Sequence, residues 1–199
     1  MEGKGFLMRP DQLEYLVLGG KTNILADERD KQLLISQVDV WRQKKRLSIY
    51  AFCLTNEEVH ILMDGHTPIL DAANELKGFL MKNVPEKRTG KKASAGVSAG
   101  DNNAASLSAL ASGLQVVHAE IVTKEEDMRF LCRKIHQIPL TYGFAVRLQD
   151  YWWSSYPSYV GIHDWKLLNK EPMLLLFGPS RGKATRQLRR YHEIPDIVF

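Results

Sequence analysis

Cysteine is scarce in this sequence, and no apolar run is long enough to span a membrane. The two cysteines, Cys53 and Cys132, both sit inside apolar patterns. Two thiols so placed imply no disulfide framework, and a reducing cytoplasm is the expected compartment. A bilayer-spanning helix needs about 20 consecutive apolar residues, and the sequence offers none. Residues 1–12 lack the apolar core of a signal peptide. Charge of one sign is not in large excess either. The net charge is +4 at pH 7, which accommodates a polyanionic partner without demanding one. What remains is 199 residues, 44% hydrophobic and 25% charged, enough for one domain with a sizeable core and extensions.

The stretch Ser48–Asp64, SIYAFCLTNEEVHILMD, organises the chain. Two apolar runs, Ile49–Leu54 and Val59–Met63, flank a polar turn, the pattern of two antiparallel strands. Side chains alternate across a strand, so Glu58 and His60 share a face. A carboxylate beside an imidazole suits a metal or a phosphate, and suits an exposed polar face equally well.

Before this hairpin, Leu13–Leu18 reads as a strand closed by Gly19-Gly20. A helical pattern from Asp27 then carries Leu33, Leu34, Val38, Trp41 and, later, Leu47. Its end bears Arg42, Lys44, Lys45 and Arg46, cations that complement a helix dipole. A solvated helix end is the default reading of that run, and phosphate contact is the alternative. Thr67-Pro68 opens a second helix. From residue 87 to 113 the sequence falls into Lys, Ala, Ser, Gly and Asn, which reads as a flexible insertion or linker. Leu114–Val122 is a fourth strand. Thr123-Lys124-Glu125-Glu126 has the form of a capping box, opening a helix that Pro139 is expected to end. Strand, helix, strand, strand, helix, strand is the α+β, ferredoxin-like split βαβ order: a four-stranded antiparallel sheet with helices on one face. A C-terminal helical extension follows.

Three further stretches carry a resemblance. Leu148–Gly161 reads LQDYWWSSYPSYVG, Arg133–Pro139 reads RKIHQIP, and Tyr50–Leu62 reads YAFCLTNEEVHIL. Together they resemble the single-tyrosine transposases with a His-hydrophobic-His motif, in particular the REP-associated tyrosine transposases. The resemblance covers nearly the whole chain outside the low-complexity segment. It implies a catalytic-fold domain over 1–146, with the 87–113 insertion inside it, and an aromatic and basic extension over 147–199 packed on the same domain. It implies cleavage and rejoining of single-stranded DNA. In that chemistry two histidines and a polar third ligand hold Mg²⁺ or Mn²⁺, and a helical tyrosine attacks phosphorus to form a phosphotyrosine link.

Three positions depart from the pattern. The first motif histidine is Glu58, leaving His60. The nucleophile's position is Lys134, and the third ligand's is Ile138. Glu58 remains a hard oxygen donor beside His60. Lys134 is the damaging change, because an ammonium is not a nucleophile. Tyr142 and Tyr151 are candidate replacements, but neither shares the helical face of Lys134 by simple spacing. His136 reads as a residue that caps the helix or packs under the following loop. Trp152, Trp153, Tyr156 and Tyr159 read first as packing and second as base-stacking surfaces.

The expected function is therefore that of a transposase-like DNA-binding protein with impaired catalysis. The alternative is an active, metal-dependent nicking and joining enzyme. A divalent ion is expected only if the Glu58–His60 site still works, and no cofactor otherwise. The expected partner is single-stranded or hairpin DNA, bound by a monomer or homodimer. Arg181, Lys183, Arg186, Arg189 and Arg190 are the leading phosphate contacts, followed by the Arg42–Arg46 run.

Overall fold

The computed structural model describes residues 13–20, 23–64, 69–82 and 112–193. In order these form β1 (Leu13–Gly19), α1 (Glu28–Lys45), β2 (Ile49–Leu54), β3 (Glu58–Asp64), α2 (Ile69–Lys82), β4 (Gln115–Val122) and α3 (Glu125–Thr141). A single 3₁₀ turn, Leu148–Asp150, precedes three further helices: α4 (Tyr156–Tyr159), α5 (Glu171–Leu175) and α6 (Arg181–Glu193). The expected Thr67-Pro68 helix start and nearly all of the 87–113 segment lie outside the described residues.

The four strands make one antiparallel sheet in the order β2-β3-β1-β4. This is the expected ferredoxin-like arrangement. The register sets which side chains share a face. Val17 lies opposite both His60 and His118, and Tyr15 lies opposite Leu62 and Glu120. One face of the sheet therefore carries Glu58 and His60 from β3, Tyr15 and Val17 from β1, and His118 and Glu120 from β4. The other face carries Leu16, Leu18, Val59, Ile61 and Met63, all buried, and α1 and α2 supply its cover. Helix α3 packs over β2 and β3 on the Glu58–His60 face.

The aromatic stretch covers a sheet edge. β2 is an outer strand, and an open edge invites pairing with other chains. Its backbone is met by Leu148–Asn169. Leu54 N–H donates to Trp153 O at 2.8 Å and Ser155 N–H to Phe52 O at 3.0 Å. The Tyr151 hydroxyl donates to Leu54 O at 2.7 Å, the Tyr159 hydroxyl to Tyr50 O, and Asn169 N–H to Ile49 O. Trp153, Tyr156 and Tyr159 are buried, in line with the packing reading. Trp152 is 49% exposed and sits against His163, with ring centroids 4.0 Å apart.

Local expectations fail at three helix ends. α1 stops at Lys45, so Leu47 lies beyond it. Arg46 takes a left-handed conformation (φ 57°), and Leu47 N–H returns to Arg42 O at 2.9 Å. This cap normally uses glycine, which is why the sequence did not announce it. The capping box at Thr123 does not form: Lys124 occupies the N-cap without a side-chain bond, and Glu125, Glu126 and Asp127 stabilise the first turn through the dipole. Pro139 does not end α3, which runs on to Thr141. A proline removes one N–H near the end of a helix, and the turn closes around it. Tyr142 N–H bonds Ile138 O at 3.0 Å, and Phe144 N–H bonds Pro139 O at 2.8 Å.

Candidate functional site

The cleft between α3 and the sheet is built on alternation. Glu58 and His60 project from the same side of β3, and the Glu58 Oε2–His60 Nε2 distance is 3.0 Å. The other imidazole nitrogen, Nδ1, lies 2.9 Å from the Tyr15 hydroxyl. Burial holds the His60 imidazole below its ordinary pKa and Lys134 pushes the same way, outweighing the opposing pull of Glu58. A neutral His60 with Nε2–H donated to Glu58 leaves Nδ1 to accept from Tyr15. The result is a phenol–imidazole–carboxylate chain.

That chain has the connectivity of an activated nucleophile, but Tyr15 is badly placed to be one. It is 2% exposed. Its phenol is held far above the usual range by burial first, then by Glu120 and Glu58, with smaller contributions from Cys53 and Tyr142. Tyr15 instead fixes the imidazole ring, the service that outer partners give a ligating histidine.

Lys134 reaches the same cleft from α3. Its Nζ lies 5.9 Å from the centre of the Tyr15 ring, within cation–π range. Glu58, His60 and Lys134 therefore converge around Tyr15. Ile138, one turn further along α3, is buried hydrocarbon and offers no donor. Tyr142 caps α3 and is 59% exposed. It is the smallest of the contributors that raise the Tyr15 pKa. Tyr151 is committed to Leu54 O.

Two donor atoms 3.0 Å apart match neighbouring corners of an octahedron with bonds of about 2.1 Å. Glu58 and His60 thus fit a small hard cation as two of its ligands, and Mg²⁺ in particular keeps several waters. On β4 a second pair has the same spacing: His118 Nε2 lies 2.9 Å from Glu120 Oε2, with both side chains about half exposed. The His118 ring is tilted against Tyr15 at 5.5 Å. His118-x-Glu120 repeats Glu58-x-His60 in reverse. Alternation in Leu114–Val122 displays the pair in the sequence, but only the β1–β4 register places it beside Tyr15.

The predicted cations fall in two groups. Those at the end of α1 serve the packing around that helix. Arg42 pairs with Asp39 at 2.7 Å and donates to Lys166 O. Lys45 meets Glu75 at 2.7 Å, and Lys44 lies 4.8 Å from the Phe79 ring centre. Arg46 forms the left-handed cap. On α6, Ala184, Leu188 and His192 face inward, while Lys183, Arg186 and Arg190 are exposed. Arg181 Nε stands 3.9 Å from Glu171 Oε1. Arg189 is partly committed, donating to Val160 O at 3.0 Å.

A buried polar cluster joins α6 to α3. His136 is fully buried, with Nδ1 2.9 Å from His192 Nε2 and Nε2 2.7 Å from Ser155 Oγ. His192 Nδ1–H donates to Leu188 O at 2.8 Å. Sequence reading placed His136 at the helix cap or under the following loop. Its partner His192 is 56 residues away, and no local pattern points to it.

No helix among the described residues is long and apolar enough to cross a membrane. No family model matches the sequence, and no curated protein matches it significantly. Among solved structures, that of a REP-associated tyrosine transposase bound to a REP hairpin is similar to this chain. The two share 10% sequence identity at a TM-score of 0.47, over 85% of this chain and 98% of that one.

Proposed function

We propose that this chain is a transposase-like DNA-binding protein that engages single-stranded or hairpin DNA without cleaving it. The observation that carries the reading is the convergence of Glu58, His60 and Lys134 on one cleft. The cleft keeps the carboxylate and imidazole on the correct strand face, and it presents an ammonium where strand cleavage needs a phenol. An ammonium beside a phosphate binds it as a point charge and forms no ester. A Mg²⁺ or Mn²⁺ ion held by Glu58 and His60 would add positive charge for a phosphate. Tyr15 keeps the His60 ring in place with or without it. The exposed cations of α6, Lys183, Arg186 and Arg190, extend phosphate contact beyond the cleft.

A second reading has one observation in its favour. Tyr142 is exposed at the end of the helix that carries Lys134, so a relocated phenol would make the protein an enzyme. Catalytic geometry tolerates only small displacements, and Tyr142 sits two turns from Lys134.

The binding test is a mobility-shift titration at low salt with a hairpin carrying a single-stranded flank, an unstructured single strand and a blunt duplex of equal length. The reading expects the hairpin and the single strand to bind more tightly than the duplex. Equal affinity for all three, or none for any, would overturn it.

A further inference from the structure

We propose that Cys132, His136 and His192 form a zinc site that clamps α6 onto α3. Cys132 and His136 lie four residues apart on one face of α3, and His192 enters from the last turn of α6. Cys132 Sγ, His136 Nδ1 and His192 Nε2 all lie within 4.8 Å of one another, and all three residues are buried. The Nδ1–Nε2 distance is 2.9 Å and the Sγ–Nδ1 distance is 3.8 Å. A tetrahedral ion with Zn–N of about 2.0 Å and Zn–S of about 2.3 Å needs ligand atoms about 3.3–3.6 Å apart. Shifts of a few tenths of an ångström bring those two pairs to that spacing, and the Cys132 Sγ–His192 Nε2 pair, within 4.8 Å, closes by at most about 1.3 Å.

The surrounding bonds carry the inference beyond proximity. Each histidine has its remote nitrogen already held, His192 Nδ1 by Leu188 O and His136 Nε2 by Ser155 Oγ. This is the outer-shell pattern that orients a ligating imidazole. The three inner atoms are then left facing one another, and something positive must lie between them. Without metal it is a proton: His136 Nδ1–H donates to His192 Nε2, and Ser155 O–H donates to His136 Nε2.

With zinc, the His136 proton moves to Nε2 and is donated to Ser155 Oγ. Ser155 O–H turns to Phe52 O, which lies 3.2 Å away, and the Cys132 thiol loses its proton. One proton is released for each ion bound. Burial keeps the Cys132 thiol protonated in the absence of metal. His192 also lines a cavity of about 380 Å³ with Tyr156, Gln137 and Glu193, the side from which a water would reach the fourth position. The ion would be structural, fixing the helix that presents Arg186 and Arg190.

The test uses the full chain purified without chelators. Zinc content is measured by mass spectrometry, and Zn²⁺ is titrated against a chromogenic chelator. Expected are one ion per chain, one proton released on binding, and a melting temperature that rises with zinc. Cobalt substitution should give the visible bands of a tetrahedral ion with a thiolate charge-transfer band, a readout on the unmutated protein. Cys132→Ser and His192→Gln should each weaken binding by at least about tenfold, with far-UV circular dichroism confirming the fold, while His163→Ala leaves it unchanged. Substoichiometric metal, a cobalt spectrum without thiolate character, or unaltered affinity in Cys132→Ser and His192→Gln would overturn the proposal.

Discussion

Acid should loosen the joint between α3 and α6, and the structure gives its size. His192 is held from its ordinary 6.5 down to about 4, chiefly by burial and partly by Arg133, against the pull of Leu188 and Cys132 carbonyls. His136 is held well below its ordinary range by burial and then by His192 itself. Both imidazoles are neutral in the folded state and protonate freely once unfolded. Below pH 6.5 the unfolded chain therefore binds more protons, so stability is fully present above 6.5 and lost as pH falls toward 4. At about 1.4 kcal/mol per pH unit, the gap for His192 is on the order of 3 kcal/mol. His136 acts in the same direction. The assay is urea unfolding at pH 7, 5.5 and 4 with a chelator present, so that metal release plays no part. His192→Gln should be less stable at pH 7 and should show a shallower pH dependence than the unmutated chain. Parallel curves for the two proteins would refute the reasoning, because carboxylates elsewhere titrate identically in both.

Other consequences are more local. Glu14 is buried, its Oε2 has no hydrogen-bond partner among the described residues, and burial followed by Asp64 raises its carboxyl to about 7. A raised acid costs stability as pH climbs from 4.5 through 7, so Glu14→Gln should stabilise the protein at pH 8 and have little effect at pH 4.5, as read by thermal melts. Tyr15→Phe deletes the bond to His60 Nδ1 and leaves that nitrogen buried, which should cost about 1–3 kcal/mol in urea unfolding. The same change should weaken any Mn²⁺ affinity of the Glu58–His60 pair. Arg186→Ala with Arg190→Ala should reduce the slope of log affinity for single-stranded DNA against log salt by about 1.4. An unchanged slope would move the phosphate contacts to the cleft.

The fold was legible because alternation and turn residues marked the strands, and their order allows few topologies. The convergence of Glu58, His60 and Lys134 followed from the strand face and from the resemblance. What surrounds them was not legible. Tyr15 meets His60 across 45 residues of sequence, a pairing that only the β1–β3 register creates. His192 meets His136 because α6 folds back over α3. The left-handed Arg46 and the helical Pro139 break local rules, since tertiary contacts outweigh penalties of a few kcal/mol. Buried aromatics were ambiguous by type: burial closed Trp153, Tyr156 and Tyr159 to bases and left Trp152 open.

The central proposal is that the cleft holds DNA and has no nucleophile to cut it. The most direct measurement is denaturing electrophoresis after incubating the protein with labelled hairpin-bearing single strands and Mn²⁺. The account predicts no denaturant-resistant adduct from the unmutated chain, and a Mn²⁺-dependent adduct from Lys134→Tyr. A covalent adduct formed by the unmutated chain and abolished by Tyr142→Phe would contradict it.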